Sequence, residues 1–156
     1  MAGLNRLLLC FLRATAMTPP RSARPRVLSV GNCGFDHRAL SEMLQQYFSA
    51  EVDAAATARD ALRKITQTTY DLVLVNRQFD ADGDSGLDLI RRIKSEPAHQ
   101  EMPVMLISNY PEYQKVAVAA GALPGFGKAE LGRVETRERV KAALGQAEGS
   151  VPASGE

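Results

Sequence analysis

The sequence predicts a doubly wound α/β domain: an open, parallel five-stranded sheet with helices on both faces. Two observations carry that expectation. From Arg26 to Leu144, short β-type apolar runs alternate with segments whose apolar residues recur every three or four positions. Two of the runs, Asp71-Leu72-Val73-Leu74-Val75-Asn76 and Pro103-Val104-Met105-Leu106-Ile107-Ser108, have unbroken apolar centres, as strands buried on both faces of a parallel sheet do. In such a pattern each helix is a crossover between neighbouring parallel strands.

The elements follow in order. Val27-Leu28-Ser29-Val30 is the first strand, and Gly31-Asn32 is its turn. Phe35 to Phe48 reads as a helix with Leu40, Met43, Leu44, Tyr47 and Phe48 on one face. Glu51 to Ala55 is a short strand. Thr57 is placed to cap a helix that turns Ala61, Leu62 and Ile65 inward. After the third strand, Asp71 to Asn76, comes a polar, acidic loop from Arg77 to Ser85. Gly86 to Ser95 then forms a helix with Leu87, Ile90 and Ile93 inward, and Pro97 ends that region. Pro103 to Ser108 is the fourth strand. Pro111 opens the next helix, which runs to Ala120-Gly121. Ala122 to Lys128 is a weak last strand, made irregular by Pro124, Gly125 and Gly127. Arg133 to Leu144 is the last helix, with Val140 and Leu144 inward.

The chain of 156 residues is long enough for one domain with a real core. Residues 26–145 are expected to form it. Residues 1–25 read as a leader or as a start assigned too far upstream, and 146–156 as a polar, disordered tail. Leu7 to Leu12, preceded by Arg6 and followed by Ala14-Thr15-Ala16, sketches a secretory signal. Its apolar core falls short of the usual ~7–15 residues, and Arg13 interrupts it. It is far too short to span a membrane.

Apolar residues make up 45% of the chain, charged residues 24%, and the net charge is +1. That balance fits a soluble protein and points to neither nucleic acid nor a membrane as partner. The two cysteines, Cys10 and Cys33, form no CxxC pair or Cys/His cluster, so neither a disulfide framework nor a zinc site is expected. A reducing cytoplasm is the expected compartment. Absence of Trp and few aromatics argue against carbohydrate binding or base stacking.

In a parallel sheet of this kind, sites form at the carboxyl ends of the strands. The residues there are Gly31-Asn32, Asn76 and its loop, Ser108-Asn109 and Lys128. With Ser85-Gly86-Leu87-Asp88-Leu89-Ile90-Arg91-Arg92-Ile93 after the third strand, and Ala120-Gly121-Ala122 before Lys128, the chain from Arg26 to Leu144 resembles the response-regulator receiver family. The resemblance implies a flavodoxin-like fold with strand order 2-1-3-4-5. It also implies a phosphoryl-transfer site in which two acids after the first strand and an acceptor aspartate after the third hold magnesium. A hard cation favours such oxygen ligands, and the acceptor's carboxylate is the nucleophile.

At those positions this chain departs from the family. The acid pair falls on Gly31 and Asn32, and the phosphoacceptor position is Asn76. A neutral amide oxygen is a poor nucleophile. Ser108 and Lys128 alone match the family's hydroxyl and lysine, which bind phosphoryl oxygens. Lys128 is read either as a remnant phosphate ligand or as a partner for the Asn76 side-chain oxygen. Ser108 is either part of a switch or a satisfier of strand-end backbone groups. The family's aromatic switch position falls on Gly125, with Phe126 the nearest aromatic, and Ala129 stands where a proline usually follows the lysine.

Asp80, Asp82 and Asp84 alternate in the acidic loop. One reading is a replacement metal site or a displaced phosphoacceptor. The run begins like a calcium loop, then fails at Ser85 and Arg91, where glycine and glutamate are needed. The simpler reading is a solvated turn, with Asp84 or Ser85 capping the following helix.

The resemblance therefore implies a receiver-like module of phosphorelay signalling, a pseudo-receiver of two-component systems. It is expected to act without phosphorylation, without enzymatic activity and without a cofactor. No output domain is expected after Leu144. Its partner would be another signalling protein, bound through the face from Pro111 to Leu144, where Tyr110 and Tyr113 serve either contact or packing. Two alternatives stand beside this: an active phosphoreceiver using an acid such as Asp80, and a small flavodoxin-like binding protein of other function. The partner, the pathway and the oligomeric state are not legible in the sequence.

Overall fold

The computed structural model describes residues 24–148, so the leader and most of the tail lie outside the described residues. Five strands form one parallel sheet: β1 (Arg26–Val30), β2 (Glu51–Ala55), β3 (Leu72–Asn76), β4 (Val104–Ile107) and β5 (Leu123–Phe126). Their order is β2-β1-β3-β4-β5. Between and after them run α1 (Gly34–Phe48), α2 (Ala58–Gln67), α3 (Gly86–Ser95), α4 (Pro111–Ala119), a 3-10 turn at Lys128–Glu130, and α5 (Val134–Glu148).

The side chains of a strand alternate between its two faces, so each strand feeds two cores. Val73 and Val75 of β3 join Leu28, Val30, Val104 and Leu106 under α2, α3 and α4. Leu72 and Leu74 join Val27, Met105, Ile107 and Phe126 under α1 and α5. Every residue of β3 is buried, which accounts for its unbroken apolar run. Each such side chain contributes about 1.5–3 kcal/mol of burial energy.

The helix starts are set locally. The Thr57 side chain accepts a hydrogen bond from Asp60 N at 3.1 Å, and Ser85, rather than Asp84, accepts one from Asp88 N at 3.4 Å. Both place a hydroxyl on an otherwise unpaired first-turn N–H.

Three details differ from the sequence reading. Tyr47 is 48% exposed; Leu40, Met43 and Leu44 already fill the inward stripe of α1. Its ring instead lies under the Arg137 guanidinium of α5, at 4.4 Å. The last helix continues through Gly145 to Glu148, because one glycine costs only about 1 kcal/mol and Gln146, Ala147 and Glu148 are good helix formers. α4 stops at Ala119, short of the expected Ala120-Gly121.

β5 is irregular for a defined reason. Met105 pairs with Leu123 and Ile107 with Phe126, so two residues of β5 face one of β4. One of the two is Pro124, which brings no N–H to the ladder.

Candidate functional site

Because all five strands are parallel, the residues that follow β1, β3, β4 and β5 meet at one edge of the sheet. A polar crevice of about 210 Å³ opens there, lined by Asn76, Arg77, Gln78, Ser108, Tyr110 and Lys128 among others.

Asn76 is the buried end of β3. Its Nδ2 donates to the carbonyl oxygens of Gly31, at 3.1 Å, and Gln78, at 2.7 Å. Carbonyls only accept, so the atom facing them is the nitrogen. Gly31 sits in the left-handed region at φ +78°. Its carbonyl also accepts from Asp80 N at 3.0 Å. A Cβ built on Gly31 would stand 2.2 Å from Cδ1 of Phe79, a ring only 2% exposed. Asn32 turns its Nδ2 to Ser29 Oγ at 3.0 Å.

Ser108 is buried, and its Oγ accepts from Tyr110 N at 3.1 Å. That is the backbone-satisfying role weighed for it. Lys128 does not bond Asn76. Its Nζ lies 2.6 Å from Asp36 Oδ2, an acid in the first turn of α1. The Lys128 hydrogen bond holds the Asp36 carboxyl below its ordinary pKa; partial burial opposes that, and the Cys33 thiol, 3.4 Å away, assists. Arg77 spreads its guanidinium over Tyr113 at 4.8 Å and Tyr110 at 5.5 Å. The two rings meet edge to face, 6.1 Å apart. Tyr113 thus packs, while Tyr110 remains 52% exposed.

None of the three aspartates of the acidic loop lines the crevice. Asp80, Asp82 and Asp84 are exposed, and Asp82 caps its own turn by accepting from Asp84 N at 3.0 Å. Asp82 and Asp84 border a different hollow, with Thr57, Arg59 and Arg92. Among the described residues no group of three His, Cys, Asp or Glu side chains is placed to hold a metal ion. Nor, among them, is any helix long and apolar enough to cross a membrane.

A second concave feature adjoins the crevice, sharing Ser108 and Asn109 with it. A groove of about 630 Å³ runs between α4 and α5 over β5, lined by Pro111, Gln114, Lys115, Val118, Pro124 and Arg139 among others. It falls within the segment singled out as a contact face. Sequence reasoning missed two residues here. Asp36 carried a faint signal, as the acid of a helix start beside the strand-end sites. Gln114 carried none, since a half-exposed amide on a helix has no pattern of its own.

Sheet order, crossovers and the strand-end crevice together define a flavodoxin-like, CheY-like domain. The model for the response regulator receiver domain matches residues 35–129, and the chain belongs to that family. It is 34% identical over 115 residues to a gliding motility regulatory protein of Myxococcus xanthus; the match covers 72% of this chain but 14% of that protein. Among solved structures it superposes on the signal receiver domain of a DNA-binding response regulator from Colwellia psychrerythraea 34H, with TM-score 0.66 and 24% identity over 77% of this chain and 98% of that one. It superposes also on a CheY-like receiver domain protein from Methanospirillum hungatei JF-1, with TM-score 0.64 and 22% identity over 80% and 97% of the two chains. These structural likenesses speak for the fold alone.

Proposed function

We propose that this receiver domain works in two-component signal transduction without being phosphorylated, and that its output is contact with another signalling protein. The single observation that carries the reading is the Asn76 amide. Both of its hydrogens are engaged by the Gly31 and Gln78 carbonyls, so a neutral donor stands where a phosphoacceptor would need an anionic nucleophile. The family's magnesium does not fit this donor set. Gly31, Asn32 and Asn76 supply no carboxylate, and the two converging carbonyls are already satisfied by an N–H donor rather than left for a cation. Lys128, paired with Asp36, is no longer free to await a phosphoryl group.

On this reading the domain catalyses nothing and works in the cytoplasm. The contact surface is Pro111 to Leu144, where the groove between α4 and α5 offers an apolar floor ringed by Lys115, Glu130 and Arg139. Kinship with a motility regulatory protein supports a regulatory role.

The test is incubation with acetyl phosphate or beryllofluoride plus magnesium, followed by intact mass and backbone amide shifts. No adduct and no shift near Asn76 is the expected result. A phosphoadduct, on Asp80 or any other acid, would sink the proposal.

A further inference from the structure

Gly125 lines the groove, and its backbone N–H and carbonyl join β5 to α4 and α5. Its N–H donates to Gln114 Oε1 of α4 at 3.1 Å, and its carbonyl accepts from Arg139 Nη1 of α5 at 2.7 Å. The other end of the Gln114 amide faces β4. Nε2 donates to the carbonyls of Leu106, at 3.0 Å, and Ser108, at 3.2 Å. Both N–H donors and one acceptor lone pair of a single side-chain amide are therefore used between β4 and β5, where the bulge and Pro124 leave the ladder incomplete. The amide bridges the two strands, with two donors to β4 and its after-strand residue and one acceptor to β5.

The fit depends on a bare backbone at position 125. A Cβ there would stand 2.1 Å from Leu106 O and 3.0 Å from Gln114 Oε1. A side chain at 125 would collide first with the Leu106 carbonyl of β4 and press on the Gln114 amide, so the close approach of β4, Gln114 and β5 needs glycine here.

We infer that Gln114 is a conformational lock, fixing α4 to the β4–β5 edge and holding the groove between α4 and α5 in one shape irrespective of events at Asn76. A neutral amide in this position does not titrate, and the lock therefore has no pH or phosphorylation switch of its own. Its functional consequence rests on the reading of Pro111 to Leu144 as the contact face: a partner would meet a preformed surface, losing less conformational entropy on binding.

Amide hydrogen exchange on the intact chain tests the lock without any partner. Failure here would leave the contact-face reading standing, and failure of that reading would leave the lock standing. In Gln114→Leu, exchange at the Gly125 N–H and at Ser108 N–H, which pairs with Phe126 O at 3.0 Å, should accelerate on the order of tenfold or more. The amides of Leu74 and Val75 in β3 should keep wild-type rates. Gln114→Glu retains the acceptor but loses both donors and sets a carboxylate against two carbonyls, and it should accelerate Ser108 N–H as strongly. Wild-type exchange at Gly125 and Ser108 in both variants would overturn the inference. Equal acceleration at every amide, β3 included, would overturn it too, by reducing Gln114 to a general contributor to stability.

Discussion

The ammonium of Lys128 and the carboxylate of Asp36 lie 2.6 Å apart across 92 positions of sequence. The pair ties the segment after β5 to the first turn of α1 and engages the lysine with Asp36 rather than Asn76. Both side chains are partly exposed, 37% for Lys128 and 25% for Asp36. A double-mutant cycle with Asp36→Asn and Lys128→Gln should therefore give a coupling of about 0.5–1 kcal/mol in urea denaturation, smaller at high salt. The folded Asp36 carboxyl has a lowered pKa. Its stabilisation is present above the unfolded aspartate value of about 3.9 and is lost as pH falls through the folded value. Asp36→Asn should abolish that acid-side component.

Asn76→Asp should destabilise the domain rather than revive it. The substitution removes two donated hydrogen bonds and sets a buried charge against two carbonyl oxygens. The expected cost is about 2–4 kcal/mol near neutral pH by chemical denaturation. Burial and the facing carbonyls would raise the new carboxyl's pKa, so the deficit should shrink as pH is lowered and the group takes up a proton. A variant as stable as the parent at neutral pH would contradict this.

Gly31 and Phe79 exclude each other's enlargement. Gly31→Ala forces a side chain into the left-handed region and onto a buried ring. A loss of about 2–4 kcal/mol is expected, and a smaller one when Gly31→Ala is made in a Phe79→Ala background. The same clash means that restoring an acid at position 31 requires trimming Phe79 as well. Additive losses in the double variant would refute the coupling.

Tyr70 gives the alkaline limit of stability. Burial and its 2.7 Å hydrogen bond to Asp53 Oδ2 push the Tyr70 phenol up to about 12. Its folded value thus exceeds the unfolded value of about 10. The associated stability is complete below the unfolded value and is lost as pH rises toward the folded one. Phenolate absorbance should show one late-titrating tyrosine in the native protein, absent in Tyr70→Phe.

Much of this fold was legible in the chain. The alternation from Arg26 to Leu144 names every strand and α-helix, though Lys128 opens a 3-10 turn rather than ending the last strand, and Thr57 reads as the cap that its bond from Asp60 makes it. The end of α5 is not legible, because Gly145 resembles a stop although a single glycine in a helix costs only about 1 kcal/mol. The neutral residues at Gly31, Asn32 and Asn76 were equally plain, since they are matters of residue identity.

What the sequence determined alone, then, is the layered α/β fold and the lack of acids at its strand ends. Both rest on signals that are local and repeated: periodicity of apolar residues and the identity of single positions. Only the tertiary structure decided where the polar groups went. Lys128 took Asp36 rather than Asn76, Phe79 filled the space over Gly31, and Gln114 completed the broken ladder beside Gly125. Such choices turn on distances of a few tenths of an ångström between residues far apart in the chain. A hydrogen bond is made or lost within that range, and no periodic pattern encodes it.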